Sequence, residues 1–373
     1  MKYSHRERVE AAINLEEPDR VPIYVNTITV KAYAKLRSYL GLSNVEIKRA
    51  LLSYDAALHE DFLWALDVDF RGVGLRIPAK RLPGRYVEDW WGVIWKDSGD
   101  MVYVAKHPLK DAKTVEDIEN YPKWPNPNDP KLIEGVREIA KKLYEETDYA
   151  IFCGAAGSIF HRYAHLRGFK QWLLDMRLNP ELYKALADKI LEIVLEATLN
   201  LLNEVADYVV WIYFGDDMGT ETEPFMSVKM YREFVKPWFC KLVKTIKKEF
   251  PKVKFNYHCH GAVFQLIPEF IDCGIDILNP ILPQEKGNDP IKLKKTFGNK
   301  ICFQGGIDVE RIIPFGTLSE VEKHVKEVIS ILAPGGGYIF GLQHIRENTP
   351  PENAIMAYRL ALKYGKYPIA STL

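Results

Sequence analysis

The sequence predicts an α/β fold, a (β/α)8 TIM barrel with a β-hairpin insertion after the second strand. Three observations predict it. Eight short runs rich in branched and aromatic residues are spread along the chain, helical apolar spacing fills the intervals, and the runs tend to stop on glycine or a polar residue. A doubly wound open sheet is the competing arrangement, but no G-x-G-x-x-G turn follows the first run.

In chain order the expected strands are RVPIYVN (20–26), VDFRGVGLR (68–76), YAIFCG (149–154) and YVVWIYFG (208–215), then VKFNYHC (253–259), IDILNP (275–280), KICFQGG (300–306) and GYIFGL (337–342). Segments such as PELYKALADKILEIVLEATLNLLNEVA and SEVEKHVKEVISILA carry apolar residues at helical spacing between them. Residues 77–130 break the rhythm. Two β-rich arms around DSGD read as a hairpin, and YPKWPNPNDP holds too much proline for a helix or a central strand. The chain is therefore read as one domain, 1–373, with an insertion at about 77–130 placed to cover the barrel mouth. Trp90, Trp91 and Trp95 are expected to form the small core of that insertion rather than a ligand surface.

Fifty basic residues balance fifty acidic ones, so no overall field draws the chain to nucleic acid or to an anionic membrane. The charged start MKYSHRERVE is no signal peptide, and no apolar run approaches the ~20 residues of a membrane helix. The five cysteines are odd in number and scattered, which points to reduced thiols in the cytoplasm.

In such barrels function gathers at the C-terminal ends of the strands. Collecting those ends gives Asn26, Arg76, Cys153, Gly154, Asp216, Asp217, His258, Cys259, His260, Asn279, Gln304, Gln343 and His344, a set far more polar than the strands that carry it. Alternation along a strand puts His258 and His260 on one face and Cys259 on the other. An H-x-H pair can hold one metal ion, zinc or another transition metal, with a third ligand from elsewhere. The other reading is a pocket in which one imidazole bonds a backbone carbonyl and no metal binds. Cys259 is then a buried hydrophobe rather than a nucleophile. Of the adjacent carboxylates only one should face the mouth. Asp217 is taken as that one, a base or third ligand, and Asp216 as a cap for the next segment. Arg76, Asn279 and Gln304 are read as substrate-binding, and His344 with Asp217 as catalytic.

YHCHGAV, LIPEFIDCGIDILNP, FGNKICFQGGIDV, APGGGYIF and HIRENTPPEN, in that order, resemble the uroporphyrinogen decarboxylase superfamily. FGDDMGTE followed by SVKMYREFVKPWF is similar to its branch of methylcobamide:thiol methyltransferases and corrinoid-dependent demethylase systems. The resemblance implies a (β/α)8 barrel, a methylated corrinoid as co-substrate, a corrinoid protein as partner, a small-molecule acceptor and, often in the family, a homodimer. It also implies zinc held by H-x-C and a later cysteine. Here His258 matches the family histidine, His260 stands where the cysteine would be, and the later cysteine falls near Gln343 and His344 and is absent. The decarboxylases' arginine-rich motif has no counterpart in EEPDRVPIYVNTITVKAYAKL. That departure argues against an eight-carboxylate tetrapyrrole. The resemblance leaves a lyase acting on a small carboxylate or modified tetrapyrrole, and a non-catalytic corrinoid-binding partner, as rival readings.

Overall fold

The computed structural model describes residues 3–49, 52, 55–99 and 101–372. Seven parallel strands form one sheet in sequential order: β1 (Phe70–Val73), β6 (Ala150–Gly154), β7 (Trp211–Gly215), β8 (Lys254–His258), β9 (Ile277–Ile281), β10 (Cys302–Gly305) and β11 (Tyr338–Ile339). Each is shorter than the segment expected from sequence and lies inside it, except that β9 runs one residue past its segment, to Ile281. The eighth position is held by the extended segment 21–25. Phe340 donates to the Pro22 carbonyl at 2.9 Å and Tyr24 to the Phe340 carbonyl at 2.8 Å, while Asp69 donates to the Ile23 carbonyl at 3.0 Å. These few bonds join the two edge strands through one segment and close the sheet into a barrel.

Inside, Tyr24, Phe70, Phe152 and Trp211 pack with ring centroids 4.6–6.1 Å apart, an aromatic plug in the lower half of the barrel. Outside, long helices cover the strands. Pro180 starts helix Pro180–Val205 at a position that needs no N–H, and Leu182, Leu186, Ile190, Ile193, Ala197 and Leu201 give it a buried stripe. Thr317 and Glu320 form a reciprocal capping box that opens helix Leu318–Leu332. Among the described residues no helix is long and apolar enough to cross a membrane.

The insertion after β1 is larger than the expected hairpin. It is a four-stranded antiparallel meander, β2 (Ala79–Leu82), β3 (Tyr86–Asp89), β4 (Ile94–Asp97) and β5 (Val102–Lys106), of which β4 and β5 are the hairpin around DSGD. Asp100 of that turn lies outside the described residues. Asp89 docks the sheet. Its carboxylate accepts from the backbone N–H of Trp91 and Val93, from Trp95 Nε1, and from Arg162 Nη1 at 2.6 Å on helix Phe160–Arg167. Trp91 is buried at the centre of the insertion, against Trp90 and Trp124, and Trp95 packs edge-on against His165.

The cysteines depart from expectation. Cys240 and Cys273 form a disulfide with Cα atoms 4.7 Å apart, and only Cys153, Cys259 and Cys302 are free thiols, all buried. The pairing arises from tertiary packing of helix Lys236–Glu249 against helix Ile267–Cys273, which residue count and spacing do not reveal. Titrating the denatured, unreduced protein with a thiol reagent is expected to find three reactive thiols rather than five. Reducing a link across 33 residues should cost about 3–4 kcal/mol of stability.

Candidate active site

The loops after β7 and β8 meet closely enough that only glycine fits at two contacts. A Cβ on Gly215 would lie 2.7 Å from the His258 Cβ, and one on Gly261, at φ 111°, would lie 2.6 Å from the Gly219 backbone. This closeness brings Asp217 to the histidines. The His260 N–H donates to Asp217 Oδ1 at 2.9 Å, and His258 Nε2 lies 3.8 Å from the same oxygen. Asp216 points the other way. It is fully buried and accepts the backbone N–H groups of Ile159, Phe160 and His161 at the start of helix Phe160–Arg167. The two carboxylates thus divide as strand alternation requires, one at the mouth and one on a helix N-terminus.

Three imidazoles gather at the mouth, each tied by Nδ1. His258 Nδ1 donates to Asn279 Oδ1 at 2.9 Å, and His260 Nδ1 faces Glu285 Oε1 at 3.3 Å. His344 Nδ1 meets Thr27 Oγ1 at 2.7 Å. Its backbone holds a left-handed φ of 57°, an uncommon conformation that these contacts keep in place. The His260 and His344 rings stack 5.2 Å apart with their Nε2 atoms 3.2 Å from each other, and Gln343 Nε2 lies 3.2 Å from His344 Nε2. Gln343 in turn accepts from Asn26. A carboxylate only accepts, so His260 carries its proton on Nδ1 and leaves Nε2 bare. The Gln343 amide N–H leaves His344 Nε2 bare in the same way. Two lone pairs 3.2 Å apart repel each other unless a proton or a cation lies between them.

Burial, then the neighbouring His260, pushes His258 down to about 4 and His344 down to about 3. Burial alone would raise the Asp217 carboxyl, but His161, with His258 and His260 beyond it, holds it well below the usual range.

Arg76 does not join this group. β1 ends at Val73, the chain leaves the barrel for the insertion, and the Arg76 side chain is exposed beside Glu134 at 3.4 Å. Asn279 reaches the site through His258. Gln304 sits deeper in the barrel, where it accepts from Asn256 Nδ2 at 2.7 Å. Cys259 is buried on the far face of the strand. Three participants escaped the sequence reading. His161 Nε2 lies 3.5 Å from Asp217 Oδ2, and Glu285 and Thr27 orient His260 and His344. Thr27 directly follows RVPIYVN, one residue past the Asn26 that was collected, whereas His161 and Glu285 sit at no strand end and in no spaced motif, so the sequence carried no signal for those two.

The donor types suit zinc. Two nitrogens bound at 2.0–2.1 Å to a tetrahedral ion stand roughly 3.3 Å apart, and His260 and His344 already meet that spacing. Among the described residues, however, no three His, Cys, Asp or Glu groups gather on one point. The chain therefore presents two facing ring nitrogens, with His258 and Asp217 beside them. This differs from the expected His258–His260 pair, because the close partner of His260 is His344. Outside the pair opens a cleft of about 320 Å³ lined by His260, His344, Glu221, Glu285, Glu310 and Arg346, among others.

The model of the Uroporphyrinogen decarboxylase (URO-D) family matches residues 93–364. The chain is 26% identical over 250 residues to a uroporphyrinogen decarboxylase of Rickettsia felis, covering 66% of this chain and 68% of that one. It is 26% identical over 236 residues to one from Aquifex aeolicus, covering 62% and 63%. These matches span about two thirds of the relatives' own length. A solved methyltransferase from Methanosarcina mazei superposes with a TM-score of 0.64 at 16% identity, covering 97% of this chain and 99% of that one, a likeness of fold.

Proposed function

This chain belongs to the uroporphyrinogen decarboxylase family, and from that premise we propose that it is a methyltransferase moving a methyl group between a corrinoid and a small acceptor. The carrying observation is the facing Nε2 pair of His260 and His344, each ring locked from behind by a hydrogen bond at Nδ1. Metal-binding imidazoles are characteristically fixed in this way. His260 and His344, with His258 or Asp217, would hold zinc or another transition metal; bound there, such an ion supplies Lewis acidity that favours the deprotonated form of an acceptor's thiol or hydroxyl. Asp217 stays ionised, held so by His161 beside it, and would steady a cation or orient the acceptor's hydroxyl or thiol by accepting its hydrogen bond. Glu285 keeps His260 in one tautomer, and Asn279 does the same for His258. A corrinoid protein is the methyl carrier this reading requires.

The curated relatives favour a second reading, decarboxylation without metal. The cleft's charge weighs against a polycarboxylate substrate. Glu221, Glu285 and Glu310 line it against Arg346, whose Nη1 lies 3.9 Å from Glu310. Several substrate carboxylates would meet that wall with little cationic compensation.

Cobalt titration tests the proposal. One cobalt per chain is expected, with a nitrogen- and oxygen-ligand absorption spectrum, no thiolate charge-transfer band, and methyl transfer from methylcobalamin to a thiol or alcohol by the loaded protein. Failure to bind zinc, cobalt or nickel stoichiometrically would sink the metal reading. Turnover of uroporphyrinogen instead would establish the second one.

A further inference from the structure

A cavity also opens at the other end of the barrel. About 380 Å³ in volume, it lies where β7 and β8 begin, whereas Asp217 and His258 stand where those strands end. Four stretches of chain build its walls: helix His5–Ile13, the end of helix Val136–Glu146, the turn 206–210 before β7, and Lys252 with Lys254 around the start of β8. Its floor is apolar. Ile13 and Val210 pack into the aromatic plug with Tyr24, Phe70 and Trp211, and Val209 is buried.

The charges on these walls do not close on one another. Arg6 and Glu10 stand four apart on one face of their helix, the spacing at which such a pair can meet. Instead Arg6 turns away. Its Nη2 donates to the carbonyls of Tyr144 at 3.1 Å and Thr147 at 3.2 Å, and its guanidinium lies 3.8 Å from the centre of the Tyr144 ring. Glu10 is left facing the cavity, and partial burial pushes its carboxyl above the ordinary value. Asp207, Lys252 and Lys254 line the same space, and among the described residues none of these three, nor Glu10, makes an ion pair. Two carboxylates and two ammonium groups thus meet one cavity from different elements. A ligand of one sign would be drawn by one pair and repelled by the other, whereas a ligand carrying both signs answers both.

We propose that this cavity binds a small zwitterion of the amino-acid class, its ammonium toward Glu10 and Asp207, its carboxylate toward Lys252 and Lys254, and its apolar side chain on the floor of Ile13, Val209 and Val210. A ligand held there ties helix His5–Ile13 to the turns that lead into β7 and β8, and so stabilises the folded barrel by mass action. The site lies at the opposite end of the barrel from the histidines and is independent of the chemistry proposed for them.

L-Phenylalanine is the probe, followed by calorimetry and thermal melting of the full chain. The controls are 3-phenylpropanoate, which lacks the ammonium, and 2-phenylethylamine, which lacks the carboxylate. Phenylalanine should bind saturably, raise the melting temperature, and bind about tenfold more tightly than either control. Glu10→Gln with Asp207→Asn should erase the preference over 3-phenylpropanoate. Lys252→Gln with Lys254→Gln should erase the preference over 2-phenylethylamine. Since none of the four makes an ion pair, both paired variants should melt near wild type without ligand. His260→Ala, at the far end of the barrel, should bind phenylalanine as wild type does. No saturable binding of phenylalanine, equal binding of either control, a preference that survives the paired changes, or loss of binding in His260→Ala overturns the proposal.

Discussion

Changing His260 to alanine is expected to abolish stoichiometric metal binding and methyl transfer, whereas Cys259→Ser keeps both. His260 is the hub of the mouth. Its N–H holds Asp217, its Nδ1 faces Glu285, and its Nε2 opposes that of His344. Removing the ring takes away one of the two facing Nε2 atoms and frees the other ring to turn. Cys259 lies on the opposite face, 1% exposed, and burial pushes its thiol well above the ordinary cysteine value. Glu285→Gln should fall between the two, because it keeps the ring but weakens its anchor, with a loss of about 10–100-fold in metal affinity. The order His260→Ala, then Glu285→Gln, then Cys259→Ser is the result to look for in cobalt titrations. Equal loss in the cysteine variant would mean that the thiol shares the face of the imidazole, and loss in that variant alone would mean that the thiol takes its place.

The same histidines set a pH dependence. An unfolded imidazole takes its proton near 6.5, while folded His258 and His344 resist until about 4 and about 3. Between those limits the unfolded chain binds more protons, so the stability of the metal-free protein is present above about 6.5 and is lost as pH falls toward 3. Any metal held by His258 or His344 should leave only as pH falls to about 4 and below, where protons begin to compete for their folded nitrogens.

The mouth was legible because its residues end strands. Asp217, His258, His260 and His344 follow β-rich runs directly, and a barrel topology carries such ends to one place however far apart they lie in sequence. Arg76 was misplaced for the same reason read too far, since β1 stops three residues before it. The extra strands of the insertion were hidden in AKRLPGRYVED. β2 is half-exposed or exposed along its length, so it shows no alternation of apolar and polar residues. Glu285 and Thr27 act from loops, through contacts that no periodicity encodes. The disulfide was unreadable because its two cysteines sit on separate helices whose packing only the folded chain defines.

The closure of the barrel was the least visible feature, and it gives the largest expected loss of stability. RVPIYVN has few ladder bonds to hold it, and Asp69 supplies what they lack. Fully buried, its carboxylate accepts from Ile23 N–H at 2.6 Å, Arg8 Nη1 at 2.7 Å and Arg20 Nη1 at 2.8 Å, and it meets His5 Nδ1 at 2.7 Å. Burial alone would raise this carboxyl, but His5, Arg20 and Arg8 outweigh it and hold it below the ordinary aspartate value. Asp69→Ala would leave two buried guanidinium groups, Arg8 and Arg20, with Asp19 and Asp67 at their outer edges and the carbonyls of Tyr3, Val21 and Asp67, but without the buried carboxylate between them. The expected cost is about 3–5 kcal/mol, read from urea unfolding at low salt. Because the folded pKa is lowered, the wild-type advantage should be complete above about pH 4 and should shrink as pH falls through the lower folded value. Hydrogen exchange locates the damage. The amides of Tyr24 and Phe340, which bond across the closure, should lose protection before those of β7 and β8. A variant within about 1 kcal/mol of wild type, with Tyr24 still protected, would show that packing of the segment's apolar side chains closes the barrel without the buried ionic cluster.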